Sequence, residues 1–122
     1  LLGEPIRCFI PEEGQWDAIG VEGPCVVKRE GTYYMFYSSW TRGYEIGYAT
    51  SEAPLGPWQK FGENPFFGAQ DQKVCAEHGI GFSGDPNGPY VGVGHNAIFA
   101  GPDGRDWLAD TLPRAECVDE AA

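Results

Sequence analysis

The side chains best suited to chemistry stand where the apolar strands of this chain begin. Glu22 opens one apolar stretch and His95 opens another. Sliding the chain on itself by 73 residues, without a gap, places Glu22 on His95 and Gly31 on Gly104. This self-match predicts one supersecondary unit used twice, with its two polar residues drawn toward a common axis.

Glu22 and His95 each have a chemical and a structural interpretation. A carboxyl group that the fold partly removes from water is suited to donating a proton, and Gly23 would let a ligand approach it. An imidazole near the axis could bind a metal ion or ordered water. Alternatively, Glu22 accepts backbone hydrogen bonds at the turn before Pro24, and His95 is a satisfied histidine at the start of a strand.

Other polar and aromatic residues lie at the predicted loop ends on the same face. An exposed tryptophan beside polar groups can stack on a sugar ring, with hydroxyl partners at its edge. The candidate substrate contacts are Trp16, Asp17, Ser39, Trp40 and Asn96. Packing in the core is the structural alternative for Trp16, Trp40, Trp58 and Trp107, and for Trp58 and Trp107 it is the expected role.

The composition is that of one globular domain built from short strands and many turns. The 122 residues include 18 Gly and 10 Pro, and the aromatic share of 14% is too high for a disordered chain. The formal net charge of −10 argues against nucleic acid as a partner and is compatible with a neutral ligand such as a carbohydrate. No apolar run has the length of a membrane span, and no signal-peptide pattern is present.

The cysteines do not have the spacing of a zinc site. They are Cys8, Cys25, Cys75 and Cys117. Because Cys25 and Cys117 lie in apolar strand patterns, buried free thiols are favoured over a disulfide framework.

The strand pattern predicts an all-β chain that contains two related units. In the first unit, four antiparallel strands form a meander with a polar hairpin turn at residues 29–32. The predicted strands of this unit are residues 21–28, 33–39 and 44–50, with a short outer strand after Trp58. The predicted strands of the second unit are residues 94–99, 105–109 and 117–118.

The segment between the two units is predicted to be a long loop. Residues 61–93 are rich in Gly, Asn and Pro, which favours irregular structure. Helical signals are weak along the chain, and only residues 115–122 have a helix-compatible composition.

Several motifs in a fixed order resemble a known family. Residues 21–24, 31–38, 47–49 and 54–58 resemble the fourth blade of the family 43 glycoside hydrolases, and residues 94–96 and 101–104 with Trp107 resemble the fifth. The resemblance implies a five-bladed β-propeller that acts with inversion on arabinose- or xylose-containing polysaccharides or oligosaccharides. Residues 1–122 would then be part of the propeller domain, with about one complete and one partial four-stranded blade at residues 19–60 and 94–119.

The resemblance also implies roles for particular residues. Glu22 matches the general acid of the family, and His95 matches an axial histidine associated with a bound calcium ion or water cluster. The general-base Asp of the first blade and the pKa-modulating Asp of the third have no match here. Past Leu108, the usual Tyr-His pair is replaced by Ala109 and Asp110. The chain is therefore expected to be inactive alone, with the missing blades supplied by the same or another chain.

Two other interpretations stay open at this point. The first is a non-catalytic carbohydrate-binding or propeller-like interaction module, which the absent general base favours for this chain taken alone. The second is a related propeller that acts on fructosides or mannosides, although the Gly-His-Asn motif at residues 94–96 disfavours it.

Overall fold

The computed structural model describes residues 3–87 and 92–111 as an antiparallel β structure with one short helix. A five-stranded sheet has the order β1-β2-β3-β4, with β5 also pairing with β3, and a two-stranded sheet contains β6 and β7. The elements are β1 Glu22–Arg29, β2 Thr32–Ser39, β3 Gly43–Ser51, β4 Gln59–Lys60, β5 Phe67–Gln70, α1 Gln72–Glu77, β6 Gly94–Ala100 and β7 Asp106–Thr111.

The hairpin between β1 and β2 forms where the sequence predicts it. Arg29 pairs with Thr32, which leaves a two-residue loop at Glu30 and Gly31. These two residues have φ of 49° and 85°, as a type I′ turn requires. The twist of such a turn matches that of the strands, so it fixes the register that carries Glu22 opposite Ser38.

The core lies on the face of the first sheet that the N-terminal segment covers. Tyr37 of β2 is 1% exposed and contacts the rings of Phe9 and Trp16 at centroid distances of 4.7 and 5.4 Å. Trp16 fits because Gly47 leaves space for its ring, where a Cβ atom would overlap the indole. Residues far apart in the sequence therefore close this side of the sheet.

The segment predicted to be a loop, residues 61–93, contains two regular elements, so that prediction is wrong. Strand β5 continues the outer row of the sheet that β4 begins, because both pair with β3. Helix α1 is capped by Asp71, whose Oδ1 accepts hydrogen bonds from the backbone of Lys73 at 2.8 Å and Val74 at 3.0 Å. Residues 112–122, which include the predicted strand at 117–118 and the helix-compatible stretch, lie outside the described residues.

The internal repeat is real, but its offset differs between the two strands of each hairpin. Both hairpins have a bulge in the first strand, between Glu22 and Cys25 in β1 and between Gly94 and Ala97 in β6. These bulges are 72 residues apart, whereas the second strands match at 73 residues. The extra residue lies in the β6–β7 turn, where the Gly101 amide bonds to the Arg105 carbonyl at 2.8 Å across three intervening residues.

This offset corrects the predicted equivalence of the two polar residues. The left-handed residue of each bulge is Gly23 in β1, with φ of 59°, and His95 in β6, with φ of 56°. His95 is therefore the counterpart of Gly23, and Glu22 is the counterpart of Gly94. The ungapped 73-residue alignment misaligns β1 with β6, because it matches Gly31 with Gly104, the glycines at the end of the two turns. In the described part of the chain, no helix is long and apolar enough to cross a membrane.

Candidate active site

Glu22 begins β1 at the edge where the two sheets meet. The bulge that follows it contains Gly23, whose left-handed conformation is readily adopted by glycine. Glu22 is exposed, so the partial desolvation expected from the sequence is not seen among the described residues. Its Oε1 accepts a hydrogen bond from the hydroxyl group of Tyr44, and its Oε2 forms none within residues 3–87 and 92–111. The carboxyl group is thus held at one oxygen and open at the other.

His95 lies beside Glu22 at the same junction. Its backbone N–H donates to Ser38 Oγ at 2.8 Å, and Ser38 is the pairing partner of Glu22 in the neighbouring strand. A Cβ atom at Gly23 would lie 3.2 Å from Cγ of the His95 ring. The structure therefore brings Glu22 and His95 to one end of the sheets, although they are not equivalent positions of the repeat.

Tyr44 is the functional candidate that the sequence reasoning missed. Its ring occupies space that only a glycine at position 94 leaves open, because a Cβ atom there would overlap the ring. Burial raises the pKa of Tyr44 above its ordinary value of 10, and the hydrogen bond to Glu22 and the charge of Asp110 act in the same direction. Tyr44 therefore stays protonated and is a hydrogen-bond donor at neutral pH.

Trp16 and Asp17 are not the exposed sugar contacts that the sequence predicts. Trp16 is 7% exposed and belongs to the core with Tyr37 and Ala49. Asp17 is 1% exposed, and its Oδ2 lies 2.7 Å from Lys60 Nζ. Both side chains serve the interior of the fold, since Gly47 opens a space for the indole and Lys60 neutralises the carboxylate.

The remaining candidate contacts are also largely enclosed. Ser39 is 1% exposed and its Oγ lies 2.9 Å from Thr41 Oγ1, so its expected place at a sugar-binding edge is wrong. Trp40 is half-buried, with its ring over Gly20. Asn96 is 5% exposed, and its side-chain amide has no hydrogen-bond partner among residues 3–87 and 92–111.

The two tryptophans expected in the core differ from one another. Trp58 is half-buried and packs against the core cluster, as predicted. Trp107 is 51% exposed, so its predicted core position is wrong within the described part of the chain. Its indole N–H instead donates to Asp103 Oδ1 at 2.9 Å in the β6–β7 turn.

The described cysteines are free. Cys75 is buried, Cys25 is half-buried and Cys8 is exposed, and Cys25 Sγ accepts a hydrogen bond from the Ile98 backbone at 3.3 Å. The free thiol predicted for Cys25 is confirmed, and Cys117 lies outside the described residues.

Among the described residues, the side chains around His95 do not group into a protein-built calcium site. Within residues 3–87 and 92–111, no three His, Cys, Asp or Glu side chains are grouped so that they could hold a metal ion. Calcium takes six to eight oxygen ligands, and an imidazole nitrogen is not among its usual donors. The calcium ion near His95 stays a prediction, and no chemical step is assigned to it.

Known proteins resemble this chain in sequence, and solved structures also resemble it in fold. Over 91 residues it is 32% identical to a β-D-galactofuranosidase, xynD, of Aspergillus niger, a match that covers 71% of this chain and 21% of the relative. The crystal structure of an endo-1,4-β-xylanase from Bacteroides thetaiotaomicron matches with a TM-score of 0.65 and 31% identity, over 88% of this chain and 33% of that chain.

A second solved structure gives the same result. A thermostable family-43 glycoside hydrolase matches with a TM-score of 0.69 and 33% identity, over 92% of this chain and 34% of that chain. The chain thus spans between a fifth and about a third of the length of these relatives. The sequence profile of Glycosyl hydrolases family 43 matches residues 2–115. The chain belongs to glycosyl hydrolases family 43.

Proposed function

We propose that this chain carries the general acid of an inverting glycoside hydrolase that acts on arabinose- or xylose-containing polysaccharides or oligosaccharides. The observation that carries the proposal is the exposed Glu22 carboxyl group at the sheet junction, held by Tyr44 at one oxygen and open at the other. Membership of family 43 over residues 2–115 supports the reaction class. The exposed position gives the carboxyl group access to a substrate.

The chain would form about one complete and one partial blade of a five-bladed β-propeller. Strands β1 to β4 follow one another as a meander, and the β6–β7 hairpin repeats the bulge of the first hairpin. Two blades leave strand edges and apolar faces without neighbours, as the exposed side chains of Val26 and Phe99 illustrate. We infer that the other blades come from the same chain or from another one.

In this reaction Glu22 would donate its proton to the glycosidic oxygen as the carbon–oxygen bond breaks. A carboxylate from a missing blade would activate a water molecule on the opposite face of the sugar, with the two carboxyl groups roughly 6.5–9.5 Å apart. No residue of this chain matches the general-base Asp that the family has in its first blade. The 122-residue chain alone is therefore expected to have no turnover.

The names of the relatives indicate neutral sugars as the substrate class. One is called a galactofuranosidase and another an endo-1,4-β-xylanase. The net charge of −10 is compatible with a neutral carbohydrate. The burial of Trp16, Asp17 and Ser39 removes three of the predicted sugar contacts, whether the chain is part of an enzyme or the alternative, a non-catalytic sugar-binding module.

The test is Glu22→Gln in the full-length protein, assayed on natural oligosaccharides and on activated nitrophenyl glycosides. Loss of a positioned acid typically lowers kcat by about 10²–10⁴-fold, and the loss should be smaller for leaving groups that need little protonation. Glu52→Gln is the matched control, because Glu52 is an exposed glutamate in the β3–β4 connection. Equal losses on both substrates, together with a lowered melting temperature, would assign Glu22 a structural role.

A further inference from the structure

We propose that Tyr44 is a positioning residue for the Glu22 carboxyl group, and that Gly94 of the neighbouring hairpin provides the space for it. This inference rests on the proposed function of Glu22. The two contacts that carry it come from different parts of the chain. The Tyr44 hydroxyl donates to Glu22 Oε1 from β3, and the Tyr44 ring lies against the bare backbone of Gly94 in β6.

The register of the sheet explains how Tyr44 reaches Glu22. Glu22 pairs with Ser38, and Ser38 pairs with Ile46, so these residues lie in one row across β1, β2 and β3. Side chains two residues apart on a strand point to the same face, which places Tyr44 on the face of Ile46 and one step closer to the sheet end. At this end β3 is held by β5, because Tyr44 pairs with Ala69.

The second hairpin fixes the ring from the other side. Gly94 is buried, and any side chain there would occupy the volume of the Tyr44 ring. His95, the next residue, is bonded through its backbone to Ser38, so β6 is tied to the same row of the first sheet. Tyr44 is therefore held between two sheets, and its hydroxyl group has a defined position.

The geometry gives the two carboxyl oxygens of Glu22 different tasks. Oε1 accepts the hydrogen bond from Tyr44, which leaves Oε2 to carry the proton. When Oε2 gives this proton to the glycosidic oxygen, the bonding electrons of the breaking carbon–oxygen bond stay with that oxygen, and Glu22 becomes a carboxylate. The bond from Tyr44 is then charge-assisted and stronger than before the transfer. An interaction that strengthens along the reaction accelerates the chemical step.

The chemistry of the phenol suits this task. Its pKa is raised, first by burial and then by the bond to Glu22, so the hydroxyl group keeps its proton over the neutral range. Tyr44 is thus a donor throughout the cycle and does not compete with Glu22 as an acid.

The test compares Tyr44→Phe with wild type in the full-length protein on natural and activated substrates. Losing a hydrogen bond to a charged group should lower kcat on natural substrates by about 10- to 100-fold, with little change in KM. The loss on activated nitrophenyl glycosides should be clearly smaller. In a Glu22→Gln background, Tyr44→Phe should have almost no further effect, because no proton is left to position.

Two further variants separate this role from simple packing. Gly94→Ala should displace the Tyr44 ring and give the same dependence on the leaving group, whereas Gly81→Ala, at a position with open space around it, should behave as wild type. Tyr48→Phe is the control for the phenol, because Tyr48 is half-buried on the same strand and its hydroxyl forms no hydrogen bond within the described residues. If Gly94→Ala does not fold, Tyr44→Phe still tests the positioning role, because it removes the hydroxyl group and keeps the aromatic ring.

The outcomes distinguish this inference from the proposed function. If Glu22→Gln is impaired on natural substrates but Tyr44→Phe acts as wild type, or loses equally on both substrates, the inference is overturned alone. If Glu22→Gln keeps full activity on natural substrates, the proposed function fails first and the inference fails with it. A selective loss in Tyr44→Phe that disappears in the Glu22→Gln background supports both.

Discussion

The β1–β2 and β6–β7 hairpins share a bulge with a left-handed residue, but they place different residues there. In β1 this residue is Gly23, and the carboxyl group comes from the residue before it, Glu22. In β6 it is His95, which carries its ring in the left-handed conformation. A non-glycine residue in this region costs on the order of 1–2 kcal/mol. The second hairpin is therefore strained at His95, the residue whose imidazole lies against Gly23.

The surroundings of the two hairpins also differ. The first belongs to a five-stranded sheet with a core around Tyr37 and a buried pair between Asp17 and Lys60. The second has two strands, packs through β6 on β1, β2 and β3, and leaves Phe99 and Trp107 about half exposed. The first hairpin is thus stabilised mainly from within its own sheet, while the second depends on contacts to the first.

The largest expected effect tests the internal support of the first sheet. Lys60 Nζ lies 2.7 Å from Asp17 Oδ2, 3.2 Å from Glu12 and 2.7 Å from the Ile10 carbonyl. Lys60→Met would leave the Asp17 carboxylate buried without a cation, and breaking a buried pair costs about 3–5 kcal/mol. Because Lys60 is 16% exposed, we expect a loss near the lower end, about 3 kcal/mol, in urea-induced unfolding.

A lysine on the surface provides the control for that measurement. The Lys73 side chain is 85% exposed and lies 3.9 Å from Glu77, so Lys73→Met should change stability by no more than about 0.5 kcal/mol. If both substitutions gave the same small change, Asp17 and Lys60 would not be the internal support of the sheet.

Much of the strand pattern could be predicted from the sequence, because local residue types determine it. The starts and ends of β1, β2, β3, β6 and β7 lie within two residues of their predicted positions, since turn residues bound apolar and aromatic runs. Strand β5 and helix α1 could not be predicted. β5 is defined by its pairing with β3, and α1 has only six residues behind its Asp71 cap.

The candidate site was less predictable, because its contacts depend on register and packing. Glu22 and His95 were found from the motifs, but the one-residue difference between the two turns hid their true relationship. Tyr44 reaches Glu22 only once the pairing of three strands is known. The burial of Trp16 is not evident from the sequence, because the space that Gly47 leaves for its ring lies on a distant strand.

The next prediction concerns the left-handed residue of each bulge, Gly23 in β1 and His95 in β6. Gly23→Ala adds a Cβ atom to a left-handed residue and places it 3.2 Å from the His95 ring, so we expect a loss of about 1–2 kcal/mol in thermal unfolding. His95→Gly removes a side chain from the same conformation in β6, and we expect no loss or a gain of up to about 1 kcal/mol. Gly62→Ala, in open space, serves as the control.

The essential result is that Gly23→Ala destabilises the chain whereas His95→Gly does not. If His95→Gly destabilised the chain as much as Gly23→Ala, the ring contact with Gly23 would outweigh the backbone strain. The imidazole of His95 would then stabilise the bulge of β6 despite the strained backbone.

The smallest expected effect concerns the ion pair that links the two hairpins at their turn ends. Arg29 of β1 donates through Nε to Asp106 Oδ2 of β7 at 2.8 Å, and its second nitrogen also contacts Asp106. The hydrogen bonds from Arg29, aided by its charge, lower the pKa of Asp106 below the ordinary value of 3.8. Both groups are exposed, so salt and water screen their attraction.

Arg29→Met should therefore raise the pKa of Asp106 toward 3.8, which NMR titration of the carboxyl group would show. The melting temperature at neutral pH should stay nearly unchanged. A carboxyl group with a lowered folded-state pKa stabilises the fold above its unfolded pKa, and this contribution is lost as the pH falls through the folded value. The acid sensitivity of the hairpin contact should thus be present in wild type and absent in Arg29→Met.

Asp103 is the internal control, since its pKa is lowered chiefly by the Trp107 indole N–H. Trp107→Phe should raise the pKa of Asp103 and leave that of Asp106 unchanged, whereas parallel shifts of both groups in either variant would mean that the turn rearranges as a whole.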